Sequence, residues 1–369
     1  MQHTVRILGT HGVPAAYGGF ETAAENVGRY LARKGWRVVI YCQLKGSGPI
    51  TEDVWEDGIE RVNIPVNLPG WRGTSKFDAI SIKHACSFRD DVCLTFGYNT
   101  GIYNWRQRLN GIPNIINMDG IEWSRKRWGF TKQAILYVNE RFAAAYGNDL
   151  IADHPVIETY LRTRAPASKI TTITYGADPI ADAPTGPVTD LGLEPGTYFN
   201  LIARPIPENT ILEIVQGFSR KPRGSKLVLF GNYLPGDAYH AAVRAAASDE
   251  VIFPGAIYKP ERVKAIRWHS LGYFHGHTVG GTNPSLVEAM AAQNPVIAHD
   301  NAYNRWVAQD AALYFSDASS FAARIEQLLG DPARAVAMKA AAKRRFEEEF
   351  TWDHVAGQYE QLLLKHVRQ

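Results

Sequence analysis

Short apolar runs alternate with helical patterns along nearly the whole chain, and this alternation most constrains the fold. Val5–Leu8 (VRIL) opens the series. A glycine-rich turn follows, then Phe20, Ala23, Ala24, Val27 and Leu31 recur at helical spacing until Gly35. Arg37–Cys42 (RVVIYC) is the next strand, and Val92–Phe96, Asn114–Asn117, Leu150–Ala152 and Ile170–Thr174 continue the pattern. A repeating β-loop-α-β order predicts a parallel sheet with helices on both faces.

The texture changes between Tyr175 and Gly196, where four prolines and four glycines read as a linker. Alternation then restarts with strands at Tyr198–Ala203, Lys226–Phe230, Val251–Phe253, Leu271–Phe274 and Pro295–Ala298. Helical patterns cover 209–219, 236–248, 259–269, 284–292 and 317–329. The expected architecture is α/β: two Rossmann-like, doubly wound domains, residues 1–176 and 177–351, facing across a cleft. Ligands in such folds bind at the carboxyl ends of the strands. Trp352, Val355, Ala356, Tyr359, Leu362 and Leu363 form one apolar stripe in a terminal helix over 352–367. That stripe caps its own domain or crosses back onto the first; both placements fit the pattern.

A chain of 369 residues is long enough for two full cores without covalent staples. Its three cysteines, Cys42, Cys86 and Cys93, are sparse, odd in number and without CxxC spacing, as in a reducing compartment. The opening MQHTVRILGTHG lacks a basic segment before a long apolar one, and no run approaches the ~20 apolar residues of a membrane span. A cytoplasmic protein is expected, at most touching the inner face of the cell membrane. Residues 1–176 carry 21 Lys and Arg against 16 Asp and Glu; the remainder carries 19 against 21. Neither a basic stripe nor a nucleic-acid module is present, so nucleic acid is not the expected partner. A phosphorylated small molecule or a membrane surface needs less positive charge.

Three segments stand out chemically. In Gly9–Glu21 (GTHGVPAAYGGFE), Gly18 and Gly19 precede a helix whose N-terminus can face an anion, with Glu21 in its first turn. The same pattern fits a plain βα loop, and it is not the GxGxxG of nicotinamide enzymes, which disfavours a dehydrogenase. In Gly280–Met290 (GGTNPSLVEAM), Asn283 is placed as N-cap and Pro284 as first helical residue, a phosphate-ready helix start with Glu288 one turn inside. In Ala203–Asn209 (ARPIPEN), Arg204 follows a strand directly, where a guanidinium can clamp a diphosphate; a surface ion pair is the plainer reading.

The order of GVPAAYGGFET, NMDGIEW (117–123) and HGHTVGGTNPSLVEAMAAQNPVIAHDNAYNR (275–305) resembles retaining GT-B glycosyltransferases of glycosyltransferase family 4. It is most similar to a bacterial subgroup with an N-terminal domain of unknown function that includes rhamnosyltransferases. The likeness covers nearly the whole chain. It implies that Glu288 matches the second, ribose-binding carboxylate of the family's Glu-x7-Glu motif. The first falls on Gly280, so its work would pass to the amides of 280–283, to His275 or His277, or be lost. The family's diphosphate clamp pairs an Arg, matched by Arg204, with a Lys about five residues on, where this chain has Asn209. The implied donor site comprises Gly18, Gly19, Arg204, Asn209, His277, Gly280, Gly281, Thr282, Asn283, Ser285 and Glu288. Asp119 lies where the family places a residue near the reacting sugar, though it could equally cap a turn. With Tyr17, Phe20, Glu21 and Trp123 it makes the implied acceptor side. Asp119, Arg204 and Glu288 would carry catalysis.

The implied reaction is metal-independent transfer with retention, from a dTDP- or UDP-linked sugar, L-rhamnose by resemblance, to a glycan or lipid-linked saccharide in cell-surface polysaccharide synthesis. The main task is to stabilise charge on the departing diphosphate, and the donor phosphate takes the acceptor proton. No cofactor is expected, and no Asp pair is spaced as a metal site. Trp105–Arg108 and Trp123–Trp128 interleave aromatics with cations, which suits a membrane interface or a solvated helix face. A nucleotide-sugar epimerase and a non-catalytic nucleotide-sugar binder of the same fold are the competing readings.

Overall fold

A computed structural model describes residues 2–16, 18–125 and 128–367. The chain divides into two compact units: residues 1–175 with 352–369, and residues 176–351.

The first unit is built on an eight-stranded sheet. In chain order its strands are β1 (Thr4–Leu8), β2 (Arg37–Lys45), β3 (Thr51–Val54), β4 (Glu60–Val66), β5 (Val92–Phe96), β6 (Asn114–Asn117), β7 (Asp149–Ala152) and β8 (Ile170–Thr172). Their spatial order is β3-β4-β2-β1-β5-β6-β7-β8, parallel except for the β3–β4 pair. Val5 of β1 pairs with Val38 on one side and Val92 on the other. The helix Gly19–Arg33 lays Ala23, Ala24, Val27 and Leu31 onto Val5, Ile7, Val38 and Ile40. Burying each such side chain contributes about 1.5–3 kcal/mol for the larger ones.

The terminal helix Trp352–Leu364 joins this core: Trp352, Val355, Ala356, Tyr359, Leu362 and Leu363 belong to the same apolar cluster as β1 and β2. Asn117 Nδ2 donates to Tyr359 Oη at 2.7 Å, and Trp36 Nε1 donates to Glu360 Oε1 at 3.1 Å.

The second unit has six parallel strands: β9 (Tyr198–Ile202), β10 (Lys226–Phe230), β11 (Val251–Gly255), β12 (Gly272–His275), β13 (Val296–His299) and β14 (Ala312–Phe315), in the order β11-β10-β9-β12-β13-β14. The winding reverses between β1 and β5 in the first unit and between β9 and β12 in the second. In doubly wound sheets such switch points open a crevice beyond the strands' carboxyl ends.

The proline-rich stretch after Tyr175 is not a free linker. Ala177, Ile180, Ala183, Val188 and Leu193 are buried, Gly186–Thr189 forms one helical turn, and Ala177 N donates to Phe350 O at 2.8 Å. The segment is a strap along the second unit. The structure also adds β3, β4 and β14 to the strands expected from sequence. β3 (TEDV) is exposed along its length, so no apolar alternation announces it, and its acidic residues guard a sheet edge.

Candidate functional site

At the switch point of the second unit, the chain leaves β9 through Ala203-Arg204-Pro205, makes a turn at Pro207–Asn209, and enters the helix Ile211–Phe218. Arg204 is exposed, while Asn209 is buried and its Nδ2 donates to Arg204 O at 2.8 Å. The loop is pinned across the end of β12. Thr210 Oγ1 donates to Gly276 O at 2.7 Å, and the amide and hydroxyl of Thr278 both donate to Glu208 O. A Cβ on Gly276 would lie 2.0 Å from Asn209 O, so only glycine allows this approach.

β12 ends at His275, which is fully buried and stacks on His277 with ring centroids 4.4 Å apart. Burial first, then the neighbouring His277, Arg267 and His299, hold His275 well below the ordinary imidazole range, so it stays neutral. Its Nε2 is buried without a hydrogen-bond partner. The chain then passes Gly280 (φ +142°), Gly281 and the buried Thr282 to the helix Pro284–Ala291. Asn283 is the N-cap, its side chain accepting from Ser285 N at 3.0 Å, and Pro284 is the first helical residue.

Ser285 is the hub of the site. Its Oγ donates to Ile202 O at 3.0 Å and accepts from Tyr273 Oη at 2.9 Å and from Arg267 Nη2 at 2.7 Å. The same Nη2 donates to Glu288 Oε2 at 3.0 Å. The Arg267 guanidinium lies over the Tyr273 ring, 5.0 Å from its centroid, and its Nε and Nη1 are buried without hydrogen-bond partners. A buried cation with unused donors, a helix N-terminus and Arg204 thus gather at one switch point. Such a constellation favours an anion. Sequence reasoning missed Arg267 and Tyr273: an arginine late in the helix Pro260–Trp268 looks like an ordinary end-of-helix cation.

In the first unit the glycine-rich loop lies across the switch-point strands. A Cβ on Gly9 (φ +81°) would sit 2.2 Å from Phe96 O at the end of β5. Gly18 is the N-cap of the helix Gly19–Arg33 and offers no side-chain cap. Glu21 is buried and turned back onto the loop, accepting from His11 N at 2.9 Å, and Glu25 does the same for Ala15 N at 2.8 Å. Phe20 packs on Phe96, and Gly97 passes its ring. Tyr17 lies outside the described residues.

Gly97 N donates to Asn117 O at 2.8 Å, which links this loop to β6. Just beyond, Asp119 is half-buried with φ +54°, and its amide donates to Asn117 Oδ1 at 3.0 Å. Tyr98 Oη donates to Gly120 O and accepts from Glu122 N, fixing the turn. Burial, and then the carboxylates of Glu140, Asp119 and Glu122, push its phenol pKa up, so it stays protonated. Phe20, Glu21 and Asp119 thus collect around the ends of β1, β5 and β6. Trp123, four residues beyond Asp119, donates through Nε1 to Tyr160 Oη at 2.9 Å, which in turn donates to the buried Glu140. Among the described residues, no group of three His, Cys, Asp or Glu side chains is placed to hold a metal ion.

Residues 1–178 match the family described as a domain of unknown function, DUF1972, and residues 214–361 match the family described as glycosyl transferase-like. A search of curated proteins finds no sequence match. Among solved structures, sucrose-phosphate synthase from Thermosynechococcus elongatus superposes with a TM-score of 0.80 at 19% identity, covering 99% of both chains. Anabaena HepE in complex with UDP and glucose gives 0.75 at 14% identity, covering 99% of this chain and 100% of that one. A trehalose-phosphate synthase from Burkholderia xenovorans in complex with glucose-6-phosphate gives 0.72 at 11%, covering 98% and 100%. The chain has the GT-B fold and carries a glycosyl transferase-like domain over residues 214–361.

Proposed function

We propose that the chain is a retaining, metal-independent glycosyltransferase that moves a sugar from a nucleoside-diphosphate donor to a saccharide or lipid-linked acceptor at the inner face of the cell membrane. One observation carries the reading: the buried Arg267 holds Ser285 and Glu288 together at the start of a helix, at the switch point where Arg204 also emerges. This is a site for a ligand with both anionic and hydroxyl parts. Arg204 and the amides of residues 280–283 face the diphosphate and take up charge as the bond to the sugar breaks. Glu288, its carboxylate fixed by Arg267, accepts hydrogen bonds from the ribose hydroxyls. The departing phosphate oxygen receives the acceptor proton. In the first unit, we assign Phe20, Glu21 and Asp119 to the acceptor side.

The comparisons support the nucleotide part of this reading, since HepE is solved with UDP and with UDP-glucose. L-Rhamnose on a dTDP carrier is the donor we infer from motif resemblance, with UDP the competing carrier. Thermal shift against UDP, dTDP and GDP and their sugars, followed by transfer to lipid-linked acceptors, tests it. Transfer with retained anomeric configuration that persists in EDTA is expected. Metal-reversible loss of activity in EDTA overturns metal independence. Rearrangement of donor alone would identify an epimerase, and binding without turnover a non-catalytic binder.

A further inference from the structure

The first unit exposes large apolar side chains on three packed elements: the helix Gly70–Ala85, the turn Gly101–Asn104 with the short helix Trp105–Leu109, and the helix Phe130–Tyr146. Phe130 is 85% exposed, Leu109 76% and Trp71 67%, with Ile102, Trp105, Ile135 and Val138 also exposed. These elements are welded together by polar contacts beneath that surface. Ile102 N donates to Asn139 Oδ1 at 2.9 Å, Ser75 Oγ and Tyr103 Oη share a hydrogen bond of 2.9 Å, and Thr100 Oγ1 donates to Asp78 Oδ2 at 2.8 Å. Trp71 and Ser75 lie one turn apart on their helix, and Ile135 and Asn139 one turn apart on theirs. Trp71 and Ile135 therefore flank the seam that Ile102 and the helix Trp105–Leu109 occupy, and these exposed groups form one surface.

Its charge has a single sign. Arg72, Lys76, Arg108, Lys132 and Arg141 are exposed, and Arg106 is half-exposed. The only acids on these three elements are Asp78 and Glu140, and both are buried. Each aromatic at the edge carries a neighbouring cation: Arg72 over Trp71, Arg106 over Trp105 and Arg141 over Tyr137. Exposed tryptophan and phenylalanine among cations, without an exposed carboxylate, match an anionic bilayer, where rings sit at headgroup depth and cations meet lipid phosphates. A water-soluble partner with an apolar patch would explain the rings and leave the one-sided charge unexplained.

We propose that this face docks the enzyme onto anionic phospholipid, with Trp71, Ile102, Trp105, Leu109 and Ile135 inserted at the interface and Arg72, Lys76, Arg108 and Lys132 on the headgroups. This deepens the reading of a lipid-linked acceptor and rests on it only for its purpose; the binding itself needs no turnover. No helix among the described residues is long and apolar enough to cross a membrane.

The test is cosedimentation of the full chain with phosphatidylcholine vesicles, with and without phosphatidylglycerol, at low and high salt. Retention only by the anionic vesicles, weakened by salt, is expected. The pair Arg72→Glu and Arg108→Glu should lower partitioning by at least about tenfold. The pair Trp71→Ser and Ile135→Ser should lower it at both salt concentrations. All four residues are exposed and outside the donor and acceptor machinery, so melting temperature and donor hydrolysis in solution should not change. No retention, or equal retention by neutral and anionic vesicles, overturns the proposal. So does a concentration-dependent dimer that the Trp71→Ser and Ile135→Ser pair abolishes, because a second copy then covers the face. Loss of hydrolysis in the unmodified chain bears on the transferase reading instead.

Discussion

Arg267 Nη2 donates to Glu288 Oε2 at 3.0 Å, from a side chain only 1% exposed to one 39% exposed. The pair is therefore asymmetric, and so are its mutants. Removing the arginine frees a carboxylate that water can reach. Removing the carboxylate strands a buried guanidinium whose Nε and Nη1 already lack partners.

Glu288→Ala is accordingly expected to lower stability more than Arg267→Met, by about 1–3 kcal/mol against a smaller loss, read from urea denaturation. On sequence alone Glu288→Ala looks like a clean probe of activity with folding intact; the buried partner removes that simplicity. Glu288→Gln keeps an acceptor for Nη2 and is the cleaner probe. It should weaken nucleotide binding in isothermal titration while leaving the melting temperature within a few degrees. Unchanged affinity would remove Glu288 from the ribose site.

Arg204 is exposed at the end of β9, so Arg204→Ala should leave stability within about 0.5 kcal/mol. If its guanidinium meets the departing diphosphate, kcat/KM for transfer should fall by about 10²-fold, the loss usual for one donor at a developing charge. Arg204→Lys should recover only part of it, because an ammonium cannot make the bidentate contact. Steady-state kinetics that match the unmodified chain would dismiss Arg204 from the site.

Much of this was legible in the sequence, for physical reasons that differ between elements. Val5–Leu8, Val92–Phe96 and Lys226–Phe230 lie between helical layers, so apart from Arg6, Thr95 and the exposed Lys226 they are apolar and stand out. Asn283 and Pro284 announced the helix start, since capping is local chemistry. β3 stayed hidden because an exposed edge strand needs no apolar face. Arg267 stayed hidden because its role comes from tertiary packing against Tyr273 and Ser285, which are distant from it in local pattern. The proline-rich stretch read as linker, yet its apolar residues Ile180, Val188 and Leu193 fill the second unit's core.

Asp78 is buried and its carboxyl pKa is pushed up to about 7, chiefly by desolvation, with the Thr100 hydrogen bond acting the other way. The unfolded chain ionises near 3.9. Between those values only the unfolded state loses the proton, so this residue makes stability fall as pH rises from about 4 to about 7. Asp78→Asn should therefore raise the melting temperature at pH 8 and change it little at pH 4, read by differential scanning calorimetry. Equal effects at both pH values would show that the carboxyl is ionised in the fold.

His275 gives the opposite slope. It is held neutral in the folded state and binds a proton on unfolding, so stability falls as pH drops below about 6.5. His275→Gln should flatten that acid limb of the stability curve, measured by urea denaturation from pH 5 to pH 8. An unchanged acid limb would mean that protonation of His275 is tolerated where it sits.

Gly276 tests how the loop bearing Arg204 is placed. The backbone of Asn209 crosses the end of β12 so closely that a Cβ at residue 276 would meet Asn209 O at 2.0 Å and Thr210 Oγ1 at 2.6 Å. The carbonyl cannot yield without breaking the hydrogen bond from Thr210 Oγ1 to Gly276 O, and Asn209 Nδ2 transmits the shift to the Arg204 carbonyl. Gly276→Ala should therefore cost about 1–3 kcal/mol, the usual range for overpacking. It should also weaken nucleotide binding although no ligand-facing side chain has changed. A second substitution, Thr210→Ser, removes only a methyl group and relieves none of the backbone clash, so it should not rescue Gly276→Ala. Nucleotide titration of the still-folded variant at low temperature separates the two effects. Full affinity with reduced stability would show that the loop's position serves packing and not the donor.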